Sequence, residues 1–185
     1  LEALDQSGLN IEESNRDRVG ILIGTGIGGI ITLLEQYEVL KERGPDRVSP
    51  FLIPMMISDS AAGNLAIRIG ARGPNLSLAT ACASGTNSIG EAAEMIRRGS
   101  ADAMIAGASE AAITAVSMAG MNVMTALSTR NDEPQKASRP FDKDRDGFLM
   151  GEGSGTLILE ALEHAQARRA NILCEFSGYG TSDDA

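Results

Sequence analysis

Short apolar runs of strand length, closed by glycine or other small residues and alternating with stretches of helical periodicity, leave this chain few ways to fold. Val19 to Gly24 (VGILIG) reads as a strand stopped by glycine, and apolar residues then recur at helical intervals from Ile27 to Lys41. Asn75 to Ala81 (NLSLATA) suits a buried strand, Ser84 to Arg98 a helix closed by Gly99, and Ala103 to Ala108 (AMIAGA) another strand. Strands that are apolar on both faces and alternate with helices predict an α/β fold: a mainly parallel sheet covered by helices on both faces.

The connections carry their own signals. Gly44, Pro45 and Pro50 mark a loop, after which Ser58 or Asp59 can cap a helix ending near Gly70. Gly153 to Leu162 and Ile172 to Ser177 frame a helix at Glu163 to Arg169, with the latter run strand-like, while residues 127 to 147 form a long, polar, turn-rich loop. Leu1 falls inside a helical pattern and the final SGYGTSDDA follows directly on a strand-like run, so both ends are expected to be truncated.

Only 3% of the 185 residues are aromatic while Gly reaches 21 and Met 8, so the core must be filled by Ala, Ile, Leu, Val and Met at close backbone spacing. A formal charge of -9 disfavours nucleic acid or an anionic membrane as partner. No apolar stretch approaches the roughly 20 residues that cross a bilayer, and no signal sequence opens the chain, so an unexported protein is expected. Cys82 and Cys174 are far apart with no CxxC, which fits a reducing compartment.

The stretch NLSLATACASGTNSIGEAAEMIRRG concentrates the chemistry. An apolar strand runs into Cys82 and a helix begins within two or three residues, so the thiol lies at or just before a helix N-terminus. Free N–H groups and the positive end of the helix dipole favour a thiolate there, and the thiolate is the form that attacks thioesters. Ala81, Ala83, Ser84 and Gly85 are small enough to admit an acyl carbonyl, which the Cys82 backbone amide can meet as an oxyanion donor. A lone cysteine in an apolar run is more often a core residue, and the flanking TACASGTN is what separates this one.

TACASGTNSIG resembles the nucleophile motif of the β-ketoacyl-(acyl-carrier-protein) synthases, condensing enzymes of thiolase fold. Further stretches match that family in order: IGTGIGGI at 23 to 30, SPFLIPMMISDSAAG at 49 to 63, RGPNLSLATACASG at 72 to 85, ADAMIAGASEA at 101 to 111, ALSTRNDEPQKASRPFDKDRDGFLMGEGSG at 126 to 155, and GYGTSDDA at 178 to 185. The resemblance covers nearly the whole chain and looks nearest to elongating synthases that act on discrete carrier proteins.

The resemblance implies a layered thiolase-like fold with a mixed, mainly parallel sheet, of which only part of the full duplicated fold is present: residues 1 to 185 as part of the N-terminal half, continuing into the linker to the C-terminal half. It implies that Cys82 takes an acyl group from acyl carrier protein and that decarboxylated malonyl-carrier protein attacks the resulting thioester. Two histidines and a lysine from the family's later half serve that chemistry and are absent here, so this segment alone is expected to be inactive. By family position Ile27, Met121 and Ala81 belong to the acyl pocket. Arg47 is a candidate for carrier-protein docking, although the usual basic patch is thinned, with Asp46 before Arg47 and Thr125 before ALSTRND. A homodimer with Leu52 and residues 75 to 81 near the two-fold axis, no cofactor or metal, and a bacterial cytoplasm or plastid stroma complete the implied picture. A polyketide ketosynthase, or a non-catalytic partner like the chain-length factors, are the alternatives; Cys82 speaks against the latter.

Two motifs read as decoys. Gly24, Gly26 and Gly29 spell GxGxxG, but no second strand ending in an acid follows at the right distance for a dinucleotide site. Asp142, Asp144, Asp146 and Gly147 open like a calcium loop, yet the twelfth position is Gly153, and interleaved Arg139, Lys143 and Arg145 suit an ion-paired loop. His164 reads as a solvated helix residue and Cys174 as core packing.

Overall fold

Six consecutive residues from Val19 to Gly24 have no solvent face, and the computed structural model, which describes residues 1–182, buries all of them in strand β1. β1 lies inside a four-stranded sheet of order β2-β1-β3-β4, with β2 at Asn75–Leu76, β3 at Ala103–Glu110 and β4 at Gly153–Glu160. β1 is parallel to both neighbours, with Ile21 opposite Asn75 and Val19 opposite Ala103, while β4 runs antiparallel to β3.

The pleat sends alternate residues to opposite faces, and each face meets helices. Leu22, Met104 and Ala106 pack with Ala92 and Met95 of the helix Ser84–Arg97, and Ile21, Ile23 and Ile105 pack with Ala62 of the helix Ser60–Ile69. Leu4 of the short helix Glu2–Ser7 closes the second face near Leu9 and Val19. In chain order the helices are α1 Glu2–Ser7, α2 Ile30–Arg43, α3 Leu52–Met56, α4 Ser60–Ile69, α5 Ser84–Arg97, α6 Ala115–Val123 and α7 Leu162–Ala167. Leu22 and Met104 are 1% and 0% exposed, and each such burial is worth about 1.5–3 kcal/mol.

Close approach of α5 to β1 explains one glycine directly. A Cβ on Gly24 would stand 2.6 Å from Ser84 O and from Ser88 Oγ, so any larger residue would push the start of α5 away from the strand. The first turn of α5 is thereby fixed against the C-terminal end of β1.

The structure revises several boundaries. α2 starts at Ile30, not Ile27, because Gly26 to Gly29 form a loop with Gly28 at φ +81°. The strand read over 75 to 81 pairs only at Asn75–Leu76; beyond it the chain still follows β1, with Thr25 N–H donating to Leu78 O (3.0 Å) and Ser77 Oγ–H to Ile23 O (2.8 Å), but in no regular ladder. Ile172 to Ser177 form no strand. The carbonyls of Phe176 and Ser177 accept instead from Arg97 on α5 (3.2 and 3.3 Å). Cys174 is exposed, which removes its core role.

Candidate functional site

Cys82 occupies a single 3₁₀ turn, Ala81–Ala83, that leads straight into α5, and its thiol is free and exposed. The turn is built by Ser84. Its Oγ accepts from Thr80 N–H (3.0 Å) and donates to Ala81 O (2.7 Å), folding the chain back on itself with Ala81 held at φ +48°. That left-handed conformation costs a non-glycine residue about 1–2 kcal/mol, so the surrounding bonds must hold it. The Cys82 amide makes no hydrogen bond among the described residues. Behind the turn, Asn87 Nδ2 donates to Thr80 Oγ1 (2.8 Å) and Tyr179 Oη–H donates to Asn87 Oδ1 (3.2 Å). Gly90 gives Tyr179 its place, since a Cβ there would lie 2.2 Å from the ring.

The Gly loop between β1 and α2 abuts this turn: a Cβ on Gly26 would stand 3.8 Å from Ala81 O. Ile27 at its tip is half exposed. The loop is organised by Glu110 at the end of β3, which accepts from Thr25 Oγ1–H (3.1 Å), Gly26 N–H (2.7 Å) and Ile27 N–H (3.1 Å). Consecutive amides pointing at one oxygen are the geometry that cradles phosphate in nucleotide-binding loops. Here a carboxylate of the chain itself already fills it, which is the physical reason the GxGxxG match is a decoy. An open cleft of about 600 Å³ lies beside the loop at the C-terminal ends of the parallel strands, lined among others by Gly28, Gly29, Met55, Ile57, Glu110 and Glu152. That is where ligands settle in open α/β sheets. Cys82 stands outside the lining of this cleft.

Thus the Gly loop that carries Ile27 meets, at Gly26, the turn that carries Ala81 and Cys82. Met121 is partly buried on α6, a helix that packs only weakly on the other helices and strands described. Arg47 is exposed in a 3₁₀ turn after α2 and makes no ion pair among the described residues. Glu110, Asn87 and Tyr179 were missed as site residues. The available signal for Glu110 was a lone acid closing the apolar run AMIAGAS.

The long loop joins two of the matched motifs. Asp146 accepts from Ser128 Oγ–H (2.7 Å) and Thr129 N–H (3.1 Å), and these bonds hold its carboxyl below the usual range. Arg139 pairs with Asp142 (2.8 Å) and lowers it likewise. STRND is thereby clipped to RPFDKDRDGF, and no group of three metal-ligating side chains gathers among the described residues. His164 is not simply solvated: its Nδ1 sits 2.6 Å from Glu160, whose side chain is 8% exposed and also bound by Arg168. Burial pushes the Glu160 carboxyl up, but Arg168 and His164 more than offset this and leave it below its ordinary value.

A mixed, mainly parallel sheet with helices on both faces and a cysteine at a strand-to-helix turn are features of the thiolase-like class of fold. Residues 1–165 match the family model described as beta-ketoacyl synthase, N-terminal domain, and the chain belongs to that family. It is 53% identical over 185 residues to a protein of Vibrio cholerae serotype O1 named 3-oxoacyl-(acyl-carrier-protein) synthase 2, and 55% identical over 184 residues to a protein of that name from Synechocystis. All of this chain aligns with 45% and 44% of those proteins, so it spans under half their length. Among solved structures it resembles a type II polyketide ketosynthase in complex with its acyl carrier protein (TM-score 0.80, 34% identity, 91% of this chain and 43% of that one). A beta-ketoacyl synthase from Burkholderia phymatum is similar at TM-score 0.79 and 35% identity, over 91% of this chain and 41% of that one. The fold is therefore the thiolase-like one, present in part.

Proposed function

We propose that the protein of which this chain is part elongates fatty acyl chains, with Cys82 as nucleophile. The thiolate of Cys82 attacks the thioester carbonyl of acyl-carrier protein. The tetrahedral oxyanion is met by the Cys82 amide, and collapse expels the carrier thiolate and leaves an acyl-enzyme. Malonyl-carrier protein loses carbon dioxide to give an enolate, whose carbon attacks the acyl-enzyme and returns the sulfur as thiolate with a β-ketoacyl-carrier protein as product. The observation that carries this reading is an exposed cysteine whose own amide is unbonded, in a turn of small residues at the mouth of a parallel sheet.

Ile27 and Ala81 bound the acyl site in this reading. Met121 and Arg47 are retained as acyl-pocket and carrier-docking positions on family resemblance alone. Residues 1 to 185 form part of the N-terminal half and run into the linker, and the missing histidine pair and lysine leave this segment inactive by itself. Carrier protein as partner is supported by the neighbour solved with its own carrier protein. A homodimer is proposed on family resemblance, with β2, the exposed edge strand paired to β1, near the two-fold axis. No helix among the described residues is long and apolar enough to cross a membrane, and a bacterial cytoplasm or plastid stroma is the compartment proposed.

The polyketide reading draws on the structural neighbours, and the higher identity to the synthase 2 proteins favours fatty acids over it. Turnover of acyl- and malonyl-carrier protein decides: full-length protein yields β-ketoacyl product, the Cys82→Ala variant yields no acyl-enzyme, and the 185-residue segment yields no product. Condensation by the segment at a normal enzyme rate would refute the placement of the remaining catalytic groups.

A further inference from the structure

Register places Ala108 of β3 opposite Gly24 of β1, so Glu110, two residues on, ends up under the Gly loop. One of its oxygens accepts from Thr25 Oγ1–H and the other from the successive amides of Gly26 and Ile27. Thr25 Oγ1 in turn accepts from Gly28 N–H (3.0 Å), so a single carboxylate organises four consecutive loop residues. Bonds to an ionised acceptor are stronger than neutral ones, and without them the Gly26 and Ile27 amides have no partner among the described residues, while the far end of the loop stays tied by Gly29 N–H donating to Met56 O (2.9 Å). Gly26 lies between this carboxylate and the Cys82 turn: its Cβ position is 3.0 Å from Glu110 Oε2 and 3.8 Å from Ala81 O.

We infer that Glu110 is the positioning residue for acyl chain-length selectivity at Cys82, acting by fixing the backbone of Ile27. The inference rests on the reading of Cys82 as acylated and of Ile27 as a wall of the acyl site. Held, Ile27 limits how far an acyl chain extends; released, it yields to longer chains. The turn that carries the thiol is held by Ser84, whose Oγ bonds Thr80 N–H and Ala81 O and also reaches Thr25 O (3.4 Å), so the nucleophile turn and the Gly loop meet at Thr25.

The test uses the full-length protein and N-acetylcysteamine thioesters of octanoate and palmitate, with acylation of Cys82 followed by mass spectrometry. Glu110→Ala should shift the octanoyl-to-palmitoyl rate ratio toward palmitoyl by about fivefold, the scale of losing the one net hydrogen bond that Glu110 accepts from the Ile27 amide. Glu110→Gln retains one carbonyl oxygen as acceptor and should shift the ratio less. If Glu110→Ala does not fold, Glu110→Gln carries the test, with faster hydrogen exchange expected at the Gly26 and Ile27 amides alongside the shifted ratio. An unchanged ratio in a folded, acylated variant overturns the inference. Failure of the wild type to acylate Cys82 with either thioester overturns the Cys82 reading and this inference with it, and is recognisable because it shows before any variant is made.

Discussion

Replacing Ser84 by Ala removes the side chain that bonds across the nucleophile turn from Thr80 to Ala81. Ser84 itself is 3% exposed, while Thr80 and Ala81 are exposed: Thr80 N–H loses its acceptor, and Ala81 O loses one donor but keeps the Ser84 N–H. Each such bond is worth about 1 kcal/mol net, and more where a buried group is left unpaired. Against this, Ala81 is freed to leave φ +48°, a conformation costing about 1–2 kcal/mol. The two effects leave a net destabilisation of about 1 kcal/mol, small for the fold but large for the turn, because relaxation of Ala81 rotates the Cys82 amide and thiol away from their present direction. In the full-length protein, iodoacetamide labelling resolved by peptide mass should show Cys82 alkylated several-fold more slowly in Ser84→Ala, with exposed Cys174 as an unchanged internal reference. Cys82 labelling at the wild-type rate, with an unshifted melting temperature, would refute the reasoning that Ser84 holds the turn.

Ile27 stands at the tip of the Gly loop beside the Cys82 turn, so Ile27→Phe should shorten the longest acyl chain accepted, read from rates with octanoyl and palmitoyl thioesters; unchanged selectivity removes Ile27 from the acyl site. Gly90→Val puts a Cβ 2.2 Å from the Tyr179 ring, which should expel the ring at about 1–3 kcal/mol and make Tyr179 nitrate faster with tetranitromethane. Glu160 has its folded pKa depressed below the ordinary 4.5, so the unfolded state binds more protons in the interval between the two values and stability there rises with pH. Its contribution is full above about 4.5 and fades as pH falls through the folded value; acid melting curves of Glu160→Gln should therefore be flatter than wild type over that window.

The parts of the fold legible in the sequence are those where local pattern and tertiary demand coincide. β1 needed apolar residues on both faces and a glycine where α5 closes in, and the run VGILIG states both. The start of α5 at Ser84 followed from the change of period after ATAC, and with it the place of Cys82. What stayed hidden was decided by partners distant in sequence. Residues 77 to 80 look like strand and run beside β1, but their bonds go to scattered acceptors, Ser77 reaching both Ile23 O and Ser58 O. ILCEFS has the residues of a strand, and Arg97 takes its carbonyls instead. α6 has weak periodicity around Gly120, and Thr114 caps it by accepting from Ser117 N–H (3.1 Å). Glu110 stands out in the sequence only as a lone acid, and its role as an acceptor follows only once β1 and β3 are known to be neighbours in register, because its three donors lie more than eighty residues away.

The account stands on covalent transfer to one sulfur. Incubating the full-length protein with palmitoyl-carrier protein, digesting it without reducing agent and mapping the peptides by mass should place the acyl group on the peptide containing Cys82, with Cys174 unmodified and the adduct absent from Cys82→Ala. An acyl group found elsewhere, or an unmodified Cys82 in protein that turns over substrate, would contradict it.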